Sequence, residues 1–277
     1  MKDYRLIIFD LHRGMVSRRF YWLAIPLFFI SACTFSVQVM GRVEYSNVAV
    51  SVGDMILSCF AGSELYFLEY SGKFFKIPML WISLLLGSHI SVVGYAEEFT
   101  GYGQQVFLRS STRIKWWISK CIWNVITTIS YFGIGIFTLI IFAVLKGWRI
   151  SFENTEDIVC VIFSKNVDKN IPLKFFTIQI LVIVIIGCIG WNLFQMYIAL
   201  YVKSLGSILI TISLLLISLY IKVPFLPWRY MMVVANENFI RNKYEFLVIS
   251  IIFVILVIVS VIGGAIKIKS CDYLVEE

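Results

Sequence analysis

Two histidines, six cysteines and seventeen acids are among the side chains this sequence offers for bond-making chemistry, and their spacing is poor for it. His89 is the one ionisable residue inside a long apolar stretch, where it sits among Ser83, Ser88 and Ser91. An intramembrane ligand or proton relay needs a second titratable partner, which that stretch lacks, so His89 reads as a hydrogen-bonded packing residue. There is no HExxH, no GxSxG and no pair of acids within an apolar stretch, and Gly72-Lys73 is followed by Phe74, which spoils a phosphate-binding GxxxxGK[ST] loop. Cys33, Cys59, Cys121, Cys160, Cys188 and Cys271 form no CxxC and no Cys/His cluster, and so read as small apolar side chains with no metal site. The expectation is a protein that is not an enzyme and holds no cofactor of its own.

The most distinctive polar run lies between two apolar stretches. It contains Glu97 and Glu98, the Gly101-Tyr102-Gly103 turn, Gln104 and Gln105, and the spaced cations Arg109, Arg113 and Lys115, and it ends on Trp116-Trp117. Val106, Phe107 and Leu108 add an apolar patch. Arginine and aromatic residues favour interface cores while charges set register, so the mixture suits docking against another protein. A solvated basic loop facing lipid headgroups has the same composition, and both readings stay open. In either case Trp116-Trp117 is expected to anchor the following segment at the headgroups.

The elements that must hold these residues are written in the hydropathy. The chain of 277 residues is 60% hydrophobic and 15% charged, with mean hydropathy +0.86, whereas soluble domains are roughly 45–50% apolar and about 25% charged. Six stretches carry no Asp, Glu, Lys or Arg: 20–40, 77–96, 121–145, 175–202, 204–221 and 246–266. Each is near the ~20 residues a helix needs to cross the hydrocarbon, and backbone groups in lipid must pair within the segment, which requires helices. The expected fold is therefore all-α, a single polytopic transmembrane domain over 1–277 with about six spans. Ile30-Ser31-Ala32-Cys33 resembles a lipoprotein cleavage box, but the apolar run continues to Met40 and reads as a permanent span. The net charge of +7 is the basic flanking of membrane helices and calls for no nucleic acid. Arg and Lys precede Phe20 densely enough to place both termini on the cytoplasmic side of the membrane.

Outside the spans, Tyr4, Ile8, Leu11 and Met15 recur at helical spacing with Asp3, Asp10, Arg13 and Ser17 elsewhere around the wheel, which predicts an amphipathic leader helix in the headgroup plane. Val48–Phe60, broken by Gly53-Asp54, is expected to be a short helix on the membrane surface. Residues 146–174 are the most polar part of the chain. Pro224 and Pro227 followed by Trp228, Tyr230 and Met231–Ala235 suggest an interfacial or re-entrant piece before the last span.

The run GYGQQVFLRSSTRIKWWISKCIW, with the preceding VGDMIL and KIPMLW, resembles the membrane subunits of type-2 ABC exporters of Gram-positive bacteria. That resemblance implies a permease that dimerises with a second permease subunit and recruits separate ATP-binding cassette subunits, where ATP and magnesium would reside. It implies that the loop after the second span is a coupling helix. The residues concerned here are Glu97, Glu98, Gly101, Tyr102, Gly103, Gln104, Gln105, Arg109, Arg113 and Lys115. It also implies a pathway at the dimer seam, for which Asn124, Thr127 and Thr128 in the third span and Asn192 and Gln195 in the fourth are candidates. Hydrogen bonding between helices of one subunit is the other reading of those five residues. Gly187 and Gly190 permit close helix approach there. Two further functions stay open: a membrane sensor or immunity protein that binds a peptide without transporting it, and a membrane enzyme.

Overall fold

The computed structural model describes residues 3–17, 19–41, 49–62, 77–93, 113–163, 173–220, 227–234 and 243–270. These form eight α-helices: α1 Asp3–Leu11, α2 Ala24–Met40, α3 Val52–Phe60, α4 Met79–Ser91, α5 Arg113–Lys146, α6 Glu156–Phe163, α7 Leu173–Tyr220 and α8 Lys243–Ser270. A 3-10 turn, Phe20–Leu23, leads into α2, and another, Pro227–Met231, precedes α8. No strand occurs among the described residues beyond one isolated bridge, Ser51 with Arg149.

Among the described residues, four segments are long and apolar enough to cross a membrane: Phe20–Met40, Arg113–Lys146, Phe176–Tyr220 and Leu247–Ser270. That differs from the six expected, for two physical reasons. The helix in the second stretch is only 13 residues, about 20 Å at 1.5 Å per residue, shorter than the hydrocarbon. The fourth and fifth stretches run together as α7, whose 48 residues would extend about 72 Å if straight. They are not straight: Val202 and Lys203 leave helical geometry, and Lys203 takes φ 59°. The break falls at the lysine that separated the two stretches in the sequence.

Helix direction follows from contacts. Helices α2 and α5 are parallel, with Phe28 edge-on to Tyr131 and Phe132 and Phe35 edge-on to Trp148. The first part of α7 runs antiparallel to α5, and α8 lies parallel to that part, with Phe253 at Gly187, Leu256 at Gly190 and Tyr197 at Gly263. A side chain at Gly187 would meet Met231 and Phe253, so the small residue is what lets these elements close. One end of the bundle gathers Arg113, Lys115, Lys203, Lys267 and Lys269, where Lys267 lies over the Tyr201 ring and Arg113 donates to the Lys269 carbonyl. The other end carries Asp54, Glu153, Glu156 and Asp157.

Two expectations about surface elements are corrected. Helix α3 does not lie on the membrane: every residue but Ser58 is buried, and Phe60 reaches the depth of Phe28 and Phe132. With the polar Gly53-Asp54 pair satisfied by neighbouring chain, the apolar remainder of α3 gains more from the bundle core than from headgroups. Trp116 and Trp117 do not reach outward either. Both are buried, and Trp117 Nε1 donates to the Val261 carbonyl at 2.9 Å, because α5 begins at Arg113, about two turns earlier than the apolar stretch, and turns that face toward α8.

Candidate functional site

The bundle's polar content is concentrated where α4, α5 and α7 meet. At α5, Thr128 Oγ1 donates to the Asn124 carbonyl, which leaves its lone pairs free to accept from Asn192 Nδ2 at 2.8 Å. The other Asn192 amide hydrogen goes to Ser88 Oγ at 3.2 Å, and Asn192 Oδ1 lies 2.6 Å from His89 Nδ1. Trp228 Nε1 donates to His89 Nε2 at 3.3 Å. An indole N–H can only donate, so Nε2 is the acceptor nitrogen and the imidazole is the neutral Nδ1–H tautomer. Asn124 Nδ2 closes the ring by donating to the Asn192 carbonyl at 3.1 Å. The whole node is neutral and buried, with Asn124, Thr128, Asn192, Ser88, His89 and Trp228 each fully enclosed.

The structure thus brings Asn124, Thr128 and Asn192 together and leaves Thr127 and Gln195 beside them. Asn124 Oδ1, Thr127 Oγ1 and Gln195 Oε1 are buried without a hydrogen-bond partner. At about 100° per residue, Thr127 precedes the contact face of α5 by the same rotation as Gln195 precedes that of α7. In an antiparallel pair those equal offsets project to the same side, and that is the side on which α4 packs. A buried polar oxygen left unpaired is costly, and native interiors hold few of them.

Sequence reasoning missed what seals this node. Trp228 lies flat on Trp191, with ring centroids 3.5 Å apart and planes 11° apart. The strand of backbone that follows is equally fixed: Val233 N–H donates to the Phe60 carbonyl at 3.1 Å and Val234 N–H to the Ala61 carbonyl at 2.9 Å. These carbonyls belong to the end of α3, whose last acceptors have no partner within the helix. Two inserted segments therefore satisfy each other at depth, the condition for irregular backbone inside a membrane protein. The sequence did mark both pieces, His89 among serines and Trp228 after two prolines, but nothing in it pairs them.

Where α3 begins, Ser51 and Asp54 form a capping box. Ser51 Oγ accepts from Asp54 N–H, and Asp54 Oδ2 accepts from Ser51 N–H at 3.0 Å. The carboxylate also accepts from Thr155 N–H at 2.8 Å and lies 2.9 Å from Thr155 Oγ1. Thr177 of α7 donates to Asn154 Oδ1 at 2.7 Å, so the same cluster ties α3, α7 and the 149–155 segment. Burial raises the Asp54 pKa above the ordinary 3.8, and the backbone N–H groups of Thr155 and Ser51 pull the other way. The Ser-x-x-Asp spacing was the legible signal of this cap.

At the basic end, the leader is docked against the bundle, correcting its expected place in the headgroup plane. Helix α1 continues as a π-helical turn, His12–Ser17, and Gly14 sits against the Trp123 ring. Asp10, a polar-face residue by sequence, is fully buried: its Oδ1 accepts from Lys120 Nζ at 2.7 Å and its Oδ2 from Ser119 Oγ. Lys120 also lies 5.1 Å from the Trp116 ring centroid. A carboxylate and an ammonium can be enclosed together because each satisfies the other's charge.

Of the coupling residues, Arg113 and Lys115 form the first turn of α5. Glu97, Glu98, Gly101, Tyr102, Gly103, Gln104, Gln105 and Arg109 lie outside the described residues. Among the described residues, no three of His, Cys, Asp and Glu converge as metal ligands would.

Among the described residues, fold and site together define an all-helical protein with four helices fit to cross a membrane and a neutral polar node sealed between them. The chain belongs to the family described as Protein of unknown function (DUF2705), which matches residues 54–274. That match begins at Asp54, within α3, and takes in α4 through α8, hence the node and the basic loop. No curated protein and no solved structure matches the chain.

Proposed function

We propose that this chain is the permease subunit of an ABC-type exporter in a bacterial plasma membrane, with six crossings and both termini cytoplasmic. Its partners in this reading are a second permease subunit, surrounding lipid and separate ATP-binding subunits that hold ATP and magnesium. The six crossings are α2, α4 with its flanks, α5, the two parts of α7 and α8. The basic end is the cytoplasmic one, since basic residues accumulate on that side of a membrane.

One observation carries the reading: a single helix links the loop expected to couple with the central node. Along its 34 residues, α5 bears Arg113 and Lys115, then the Ser119–Lys120 clamp on the leader, then Asn124, Thr127 and Thr128. Just past its far end, Arg149 joins the outer junction: its N–H donates to the Val50 carbonyl and its carbonyl accepts from Val52 N–H. A displacement imposed at the loop by closing ATPase subunits would travel along this helix as a rigid body and change the packing at the node. The energy would come from the difference in nucleotide affinity between two states of the complex.

Purification of the tagged chain from its native membranes tests this. A partner carrying a Walker phosphate loop is expected to co-elute, and Arg109→Glu with Arg113→Glu is expected to release it while the chain stays in the membrane. Arg109→Glu alone is the control for the Arg113 contact to α8. Normal capture by the double variant, or no ATPase in the eluate, overturns the assignment; a bound peptide in place of the ATPase favours a sensor or immunity protein.

A further inference from the structure

We propose that the 227–234 segment is a removable plug, latched by the Trp228–His89 hydrogen bond, that closes the central node toward the acidic end of the bundle. The inference rests on the exporter reading and assigns the regulation of its pathway. Four features of the segment support it. It is irregular backbone inserted among helices, tolerated at depth where it is buried in protein or borders water. It is fixed by a compact set of contacts: the Trp228 stack and N–H bond at one end, the two backbone bonds to Phe60 and Ala61 at the other. Between those ends Trp81 Nε1 donates to the Met231 carbonyl at 3.3 Å, and a small apolar gap remains, lined by Tyr230, Met231 and Met232 on one side and by Ile180, Ile183 and Val184 of α7 on the other.

The fourth feature is energetic. Beneath the plug, Asn124 Oδ1, Thr127 Oγ1 and Gln195 Oε1 are enclosed without partners. Each would gain a hydrogen bond if water entered, so the closed arrangement is opposed from within and held by the plug's own contacts. A two-state element needs such a balance, in which a modest input decides between arrangements. His89 is a positioning residue here: through Asn192 it ties the latch to α7 and, by Thr128, to α5. Movement of α5 against α7 would therefore pull on the latch directly.

The test reads water access at Thr127. Thr127→Cys in the purified full chain in liposomes is treated with a membrane-impermeant cationic thiosulfonate, and the modified peptide is quantified by mass spectrometry. Modification is expected to be slow with Trp228 present and roughly tenfold faster with Trp228→Phe, which keeps the stack but removes the N–H donor, the factor one hydrogen bond supplies. A second series keeps Trp228 and adds Ala61→Cys with Val234→Cys: oxidising that pair is expected to slow Thr127→Cys modification below the reduced level. Fast modification with the plug intact, no change with Trp228→Phe, or equal rates in the oxidised and reduced pair each overturns the proposal. Because no ATPase is present, failure to capture an ATPase would defeat the exporter reading and leave these rates unaffected.

Discussion

Lys120 and Asp10 are an enclosed ion pair with a second hydrogen bond from Ser119, and that arrangement makes the cost of losing one partner asymmetric. Lys120→Met strands a buried carboxylate, so thermal unfolding in detergent should show a loss of about 3–5 kcal/mol. The double variant Asp10→Leu with Lys120→Met removes both charges and should recover most of it; a double variant as unstable as the single one would refute the pairing. Asp54 behaves in the opposite sense from a paired surface acid. Its folded pKa is held above 3.8 by burial, so the folded chain keeps the proton to higher pH than the unfolded chain does. The contribution of Asp54 to stability is complete below 3.8 and is lost as pH rises through the raised folded value. Measured as the difference in melting temperature between the parent and Asp54→Asn, the parent's advantage should shrink as pH rises above about 4. A difference that grows with pH would show that the hydrogen bonds from Ser51 and Thr155 outweigh burial.

Elements were legible from the sequence where apolar length alone decides them, and illegible where a neighbour decides. The ion-free runs located α2, α5, α7 and α8, and Lys203 marked the break within α7. Helix α3 shows the limit. Its composition is too polar at Gly53-Asp54 to span, which suggested a surface helix, yet chain just over a hundred residues away supplies the partners that let it enter the bundle. The same holds for the node: Asn124, Thr128 and Asn192 were recognisable as polar residues in apolar runs, whereas the role of Trp228 depends on a stack with Trp191 that no local pattern encodes. Gly53 gives a test at this scale. Its amide bonds the Ser151 carbonyl at 2.9 Å, and a Cβ there would lie 2.7 Å from the Phe152 carbonyl oxygen, a backbone atom with little room to yield. Gly53→Val should separate α3 from the 149–155 segment at a cost of about 1–3 kcal/mol, seen as faster proteolysis at Ser151–Glu153. Unchanged proteolysis would mean that this junction does not hold α3 in place.

At the scale of the molecule, the open question is how many times the chain crosses, and α7 decides it. A single crossing of about 30 Å uses roughly 20 residues, and α7 has 48. If α7 crosses once, the excess must project beyond the membrane as an apolar rod, yet Leu215 and Leu219 near its far end are buried in the main core. If it crosses twice, the chain must turn at Val202–Lys203, and that turn must emerge at a surface. The left-handed Lys203 is exposed, and Tyr201 beside it holds Lys267 near its ring, which puts the break level with the end of α8 and with Arg113. Six crossings therefore require Lys203 and the C-terminal end of α8 to share a side, opposite Arg149. Lys203→Cys, Lys269→Cys and Arg149→Cys, labelled in sealed right-side-out and inside-out vesicles with an impermeant maleimide, measure this. Lys203→Cys and Lys269→Cys should react in inside-out vesicles and Arg149→Cys in right-side-out ones. Were Lys203→Cys to react together with Arg149→Cys, α7 could not be a pair of spans, and the permease architecture proposed for the chain would fall with it.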